Sequence, residues 1–310
     1  MKPGDVIGGY KLVQRLNQGG SERTFFRCTK ENTTYVMIYD HELEQYLKLH
    51  RHLSAKNVAV PKVHWHNLDQ RLMVQEDLGD TSLLVMSKTK RSPVGFYQTA
   101  LDELIKLQID ARPGAPLQCY YDQDHIRWEQ GYFRDHFLMQ YCGLQEKDLH
   151  GLEKDFAAIM INLLKTAEPI SDYLMHRDFQ SQNIYFKHDQ IRIIDFQSAR
   201  IGPLTYDLAA LLRDAYVNIG IEIENLLIEY YFSRIRKRGI TISWNEFLTI
   251  YELTCLQRNM QALGAFANLS LNKGKPHFAQ YIPRGVALLQ HGLRETDFTK
   301  FHDIVSMVKP

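Results

Sequence analysis

One stretch limits the possible folds more than any other. Residues 176–183 read His-Arg-Asp-Phe-Gln-Ser-Gln-Asn, and two short β-like runs follow around the turn 187–190, ending in Asp195-Phe196. Ile191 and Ile193 share one face of the second run, which predicts a hairpin entered from a polar loop. The sequence on either side has helical spacing, so this hairpin is the one β-like island in the second half of the chain. A β-rich first part and a helical second part with an embedded hairpin point to an α+β fold.

At 310 residues the chain is long enough for two lobes. Its 37 Lys and Arg balance 36 Asp and Glu, for a formal charge of +1. No long-range field gathers phosphate backbones or anionic lipids, so neither nucleic acid nor a membrane surface is the expected partner. No obligate protein partner is evident. Cys28, Cys119, Cys142 and Cys255 lie far apart with no C-x-x-C pair, as expected of buried free thiols in a reducing compartment. The start of the sequence lacks an apolar signal-like core, and a cytoplasmic location is expected.

The texture changes near residue 80. Before it, strands are predicted at 10–16, 24–29, 34–39 and 72–75. A helix is predicted between the last two, within 41–53, where Leu43, Tyr46, Leu47, His50 and Leu53 recur on one face. After it, Ser92 and Pro93 read as N-cap and first helical position. Further helices are predicted over 124–141, 148–167, 205–216, 222–237, 243–270 and 283–294. Ser243 and Glu246 have capping-box spacing. The boundaries expected are a lobe over 1–78 and a second over 79–310.

The 176–196 residues also carry a chemistry. Moving a phosphoryl group onto a hydroxyl needs a carboxylate at that hydroxyl and oxygen ligands for Mg²⁺ beside nucleotide phosphates. Asp178 is the candidate base, while Asn183 and Asp195, carried back by the hairpin, are the candidate Mg²⁺ ligands. His176 and Arg177 complete the catalytic motif. The other reading is a polar turn before an ordinary hairpin.

These residues resemble the kinase-fold small-molecule phosphotransferases related to aminoglycoside phosphotransferases and choline kinases. The stretch IIDFQSARIGPLTYDLAALLRDAY narrows the likeness to bacterial anomeric sugar kinases that phosphorylate N-acetylmuramate and N-acetylglucosamine at the C1 hydroxyl. Such enzymes carry D-F-Q, a Gly-Pro (here Gly202-Pro203) and Y-D-L-x-x-L-L-R-D (here Tyr206 to Asp214). The later run LQRNMQALGAFANLSLNKGKPHF also looks like that family.

The resemblance implies a two-lobed protein-kinase-like fold. A small antiparallel β-sheet N-lobe with one helix stands over a larger, mainly helical C-lobe, and ATP and Mg²⁺ bind between them. It implies phosphoryl transfer to a small sugar in cell-wall recycling. A kinase for another alcohol, such as an aminoglycoside or a choline-like amine, and an inactive kinase-fold binding module are the alternatives. Asp207 either holds the catalytic loop through hydrogen bonds, as in that family, or favours a helix dipole.

On the nucleotide side, Asn17 to Ser21 reads as a phosphate-covering loop or as a plain turn. The third strand, YVMIYD, has no lysine, and the sugar kinases lack it too. Arg23 is the candidate for neutralising phosphate, or else an exposed hairpin arginine. The hinge is expected at Met73 to Gly79, with Glu76 through its carbonyl and Leu78 through its N–H meeting adenine. For the acceptor, the candidates are Gln180 in the motif, Trp128 and Glu129 on an aromatic and acidic helical stripe, and Arg213, Asp214 and Arg258. The stripe reads equally as core, and the last three as internal ion pairs.

Overall fold

In the computed structural model, residues 1–16, 23–89, 92–294 and 296–308 are described. Alternating apolar residues near the N-terminus build a six-stranded antiparallel sheet: β1 (Val6–Ile7), β2 (Tyr10–Arg15), β3 (Thr24–Lys30), β4 (Thr33–Tyr39), β5 (Val63–Asn67) and β6 (Leu72–Glu76). Their spatial order is β1-β2-β3-β4-β6-β5. Phe26, Cys28, Met37 and Val74 pack with Tyr10 and Leu12. Val36, Ile38 and Met73 belong instead to the cluster formed with Tyr46, Leu47 and Leu53 of α1 (Leu43–Ala55). Both faces of β4 are thus covered, which is why its apolar residues run on without alternating.

Two strands of this sheet escaped the sequence reading. β1 is only two residues long, and the VHWHN of β5 puts His64 and His66 outward on an edge.

The helical part follows: α2 (Leu83–Thr89), α3 (Val94–Ile105), α4 (Gln123–Tyr132), α5 (Leu152–Ala167), α6 (Thr205–Leu212), α7 (Ile221–Lys237), α8 (Trp244–Leu271), α9 (Ile282–Leu293) and α10 (Thr299–Met307). α3 starts one residue beyond Pro93, whose carbonyl accepts from Tyr97 N, and no side chain caps it. α4 continues as a π-helical segment, Phe133–Tyr141. α6 ends at Leu212, short of the expected 216, because Arg213 and Asp214 turn to side-chain and loop partners. The capping box at Ser243 and Glu246 is formed in full. Among the described residues, no helix is long and apolar enough to cross a membrane.

Four short strands interrupt the helices: β7 (Tyr173–Met175), β8 (Ile184–Lys187), β9 (Gln190–Ile193) and β10 (Arg200–Gly202). The hairpin β8–β9 forms in the register Ile184↔Ile193, as its sequence requires. β7 pairs with β10 through Met175↔Arg200, so the whole loop–hairpin unit is closed at its base by a second ladder. Three-residue strands are too short to show a period, and these two were not read. The result is an α+β fold with two lobes, a sheet lobe carrying α1 and a mainly helical lobe.

Candidate active site

The loop leaving β7 is held in an unfavourable backbone shape. Arg177 and Asp195 have φ of 74° and 69°, a left-handed conformation that costs a non-glycine residue about 1–2 kcal/mol. Asp207, in the first turn of α6 and wholly buried, offsets this at the first position. Its two carboxylate oxygens accept from His176 N at 2.7 Å and Arg177 N at 2.8 Å. Of the two readings of Asp207, the structure has the loop-holding one.

His176 is buried and neutral. Its Nε2–H donates to Ile194 O at 3.0 Å, so its Nδ1 is the acceptor for Asp178 N at 3.2 Å. Burial pushes its pKa down to about 4, below the unfolded value near 6.5. The depressed value means that the ring's contribution to stability is present above about 6.5 and is lost as pH falls through about 4. We expect the His176 Cε1–H resonance to stay constant from neutral pH to pH 5 and to move only near 4. A midpoint at the ordinary histidine value, in the folded protein, would refute the neutral, buried state of this ring.

Three oxygen-bearing side chains converge from this scaffold. Asp178 Oδ2 accepts from Ser198 Oγ at 3.0 Å, and its Oδ1 lies 4.0 Å from Arg258 Nη2. Asn183 donates its Nδ2–H to Asp178 O at 2.9 Å, which leaves its Oδ1 as the side chain's acceptor. Asp195 Oδ1 accepts from Gln197 Nε2 at 2.9 Å and lies 3.4 Å from Arg23 Nη1, while Arg23 Nε contacts Asp40 Oδ2 at 2.9 Å. Burial, and then the neighbouring Asp178, push the Asp195 pKa up. A divalent cation would relieve that unfavourable charge, and one carboxylate plus one amide oxygen is the small protein share of a Mg²⁺ shell completed by phosphates and water. The donor set therefore fits Mg²⁺.

Two cavities meet at these residues. The larger, about 390 Å³, lies under the sheet, with Phe25, Val36 and Leu78 as apolar walls and Asn183 and Asp195 at its polar end. Glu76 also lines it, and its side chain is tied to Arg192 at 3.0 Å. Val36 is the β4 residue that lines this cleft, and Arg23 Nη1 lies 3.4 Å from Asp195. Ser21 lies outside the described residues.

The second cavity, about 270 Å³, continues past Asp195 and Gln182. Gln180, Gln197 and Gln261 line it together with Arg258 and the rings of Tyr216 and Phe266. Among the described residues, its acidic members are Asp178 and Asp195.

A sequence profile of the phosphotransferase enzyme family matches residues 12–239. The chain belongs to this phosphotransferase family. It is an enzyme that transfers phosphate to a small-molecule hydroxyl. The phosphotransferase is similar to the N-acetylmuramate/N-acetylglucosamine kinase of Neisseria meningitidis serogroup B, with 28% identity over 84% of this chain and 80% of the relative. Among solved structures, Plasmodium vivax ethanolamine kinase superposes with a TM-score of 0.66 at 14% identity, covering 94% of this chain and 84% of that one. A choline/ethanolamine kinase family protein from Mesorhizobium loti gives 0.64 at 16% identity, with 95% and 92% covered. These superpositions establish the shared fold.

Four expected acceptor contacts of the phosphotransferase lie elsewhere. Glu129 is fully buried, accepting from Tyr121 Oη at 2.9 Å, Tyr206 Oη at 2.8 Å and Gln257 Nε2 at 3.0 Å, with Arg177 Nη2 at 3.5 Å. Burial works against its ionisation, yet the His125 ring and Arg177 guanidinium beside it bring its pKa down to about 2. Glu129 thus orients Arg177 from behind. Trp128 stands on the outer surface, stacked between His125 and Tyr132, and does not line the cavity. Arg213 is paired with Glu224 at 2.8 Å and Glu252 at 2.6 Å, and Asp214 accepts from Ser181. Gln180 and Arg258 do line the second cavity.

The residues missed in the sequence are Gln182, Gln197, Tyr216, Gln261 and Phe266. Gln197 is the third residue of D-F-Q. Arg258 and Gln261 stand at i and i+3 on one face of α8, and that shared face was the available signal.

Proposed function

We propose that the protein is an ATP- and Mg²⁺-dependent sugar kinase. It transfers the γ-phosphate to the C1 hydroxyl of N-acetylmuramate or N-acetylglucosamine, as a cytoplasmic enzyme of cell-wall sugar recycling. The observation that carries this reading is the chemistry of the second cavity, which joins the first at Asp195 and Gln182. Side-chain amides and aromatic rings suit a sugar's hydroxyls and its apolar face, and Arg258 suits an acidic substituent. A polyamine acceptor such as an aminoglycoside calls for several carboxylates, and among the described residues the cavity has only the two that serve the transfer. The names of the curated relatives support the same substrates.

In this reading the lobe of residues 1–78 holds the nucleotide, and residues 79–310 supply the transfer residues and acceptor pocket. The backbone of Glu76 and Leu78 meets adenine, and Arg23 faces the phosphates. Asn183 and Asp195 hold Mg²⁺, which neutralises charge on the phosphates. Asp178 accepts the proton of the sugar hydroxyl as its oxygen attacks the γ-phosphorus and ADP departs. Arg258 lies at 4.0 Å from Asp178. It lies on the acceptor's side of that carboxylate, lining the second cavity.

The test is ATP consumption with Mg²⁺ against N-acetylmuramate, N-acetylglucosamine, other hexoses, an aminoglycoside and choline, with the product read by ³¹P NMR. The expected result is an anomeric phosphate on one or both amino sugars. Turnover with choline or the aminoglycoside alone would discard the substrate assignment. Nucleotide binding without any turnover would favour a binding module.

A further inference from the structure

We propose that Asp214 is a positioning residue that sets the metal-side end of the catalytic loop and the neighbouring acceptor wall together. Its place in the chain is poor for a carboxylate. It follows the C-cap of α6, Arg213, where the helix dipole presents its negative end, and it is buried at 4% exposure. What compensates is a set of three donors. Ser181 N donates to Oδ2 at 2.9 Å, Ser181 Oγ to the same oxygen at 2.6 Å, and Tyr216 N to Oδ1 at 2.8 Å.

Those donors are not scattered. Ser181 opens the turn Ser181–Asn183, which carries Asn183 to the metal side and Gln182 to the junction of the cavities. Tyr216 lines the acceptor cavity, and its hydroxyl accepts from Gln182 Nε2 at 3.2 Å. One carboxylate thus fixes the start of the metal-side turn and the acceptor wall from behind. Arg213 is anchored the other way, to Glu224 and Glu252, which holds the chain while Asp214 points into the loop.

Asp207 and Asp214 make a pair. They lie seven residues apart at the two ends of α6, and their carboxylates grip opposite ends of the loop 176–183: His176 and Arg177 at one end, Ser181 at the other. A short helix therefore acts as a bracket for the whole loop. Asp207 serves the side of Asp178, and Asp214 serves the side of Asn183.

The inference rests on reading Asn183 as a Mg²⁺ ligand, and the test needs no knowledge of the acceptor. ADP binding to the full chain is measured by calorimetry at a series of Mg²⁺ concentrations and without Mg²⁺. In Asp214→Asn, the amide oxygen still serves Tyr216 N and the amide NH₂ can donate to Ser181 Oγ, but Ser181 N loses its acceptor. We expect Mg²⁺ half-saturation to rise by about 10- to 100-fold, the usual cost of losing a group that orients a metal ligand. Metal-free ADP binding should stay unchanged, because the adenine side is not touched. Ser181→Ala, which deletes one bond of the three, is expected to shift it the same way by less, and it carries the test if Asp214→Asn does not fold. A lowered melting temperature with Mg²⁺ half-saturation unchanged in both variants would overturn the inference alone. Wild-type ADP binding indifferent to Mg²⁺ would overturn the reading of Asn183 and the inference with it.

Discussion

Asp178→Asn is expected to lower turnover by about 10²- to 10⁴-fold, the range for removing a proton acceptor from a transition state. The substitution is nearly isosteric. An amide oxygen still accepts from Ser198 Oγ, now at 3.0 Å from the carboxylate, and Asn183 bonds to the backbone carbonyl of residue 178, which does not change. The loop therefore keeps its shape, and the side chain is partly open to solvent, so the cost in stability is expected to be under about 1 kcal/mol. Nucleotide binding, measured by calorimetry with Mg²⁺ and ADP, should match the wild type. Turnover near the wild-type rate would remove Asp178 from proton transfer, and a loss of ADP binding in step with turnover would mean that the change acted on the fold.

The second large effect is expected at Asp207. In Asp207→Ala, the N–H groups of His176 and Arg177 lose their acceptor while remaining inside the protein. Each such orphaned donor costs about 1–3 kcal/mol, so the pair costs about 2–6 kcal/mol. That is a large fraction of the roughly 5–15 kcal/mol by which a folded protein exceeds its unfolded state. The left-handed Arg177 loses its restraint as well. We expect a clearly lower denaturant midpoint and no measurable turnover. Asp207→Asn keeps one acceptor and turns an NH₂ toward a backbone donor, so it should fall between. An unchanged midpoint in Asp207→Ala would show that the two hydrogen bonds do not hold the loop.

Asp178, Asn183 and Asp195 were legible in the sequence because their arrangement is local. One loop and one hairpin fix their order and spacing, so the string of residues nearly contains the geometry. Arg258 and Gln180 were legible as polar residues near that unit. Trp128, Glu129, Arg213 and Asp214 do not line the acceptor cavity; Glu129 and Arg213 follow the core and ion-pair alternatives instead. Helical spacing tells which residues share a face, but not whether that face meets a cavity, a neighbouring helix or solvent. Glu129 turned inward onto Tyr121 and Tyr206, and Trp128 turned out. Tyr216 reaches the acceptor cavity from the turn after α6 and Phe266 from α8, and no single window of sequence shows them together. The strands β7 and β10 exist through pairing with each other across the loop, a contact that neither short run announces on its own.

The hairpin is tied to the strand-to-helix crossing that faces it. Lys187 Nζ donates to Asp77 O at 2.6 Å, Arg192 Nε to Glu76 Oε2 at 3.0 Å, and Phe186 N to Thr81 O at 2.9 Å. The segment proposed to meet adenine and the segment that ends in Asp195 are therefore one mechanical piece, whatever the sheet above them does. The span between them acts as a ruler of fixed length. Under the proposed nucleotide reading, that fixed span sets how far the phosphate chain must reach from the base to Asp195.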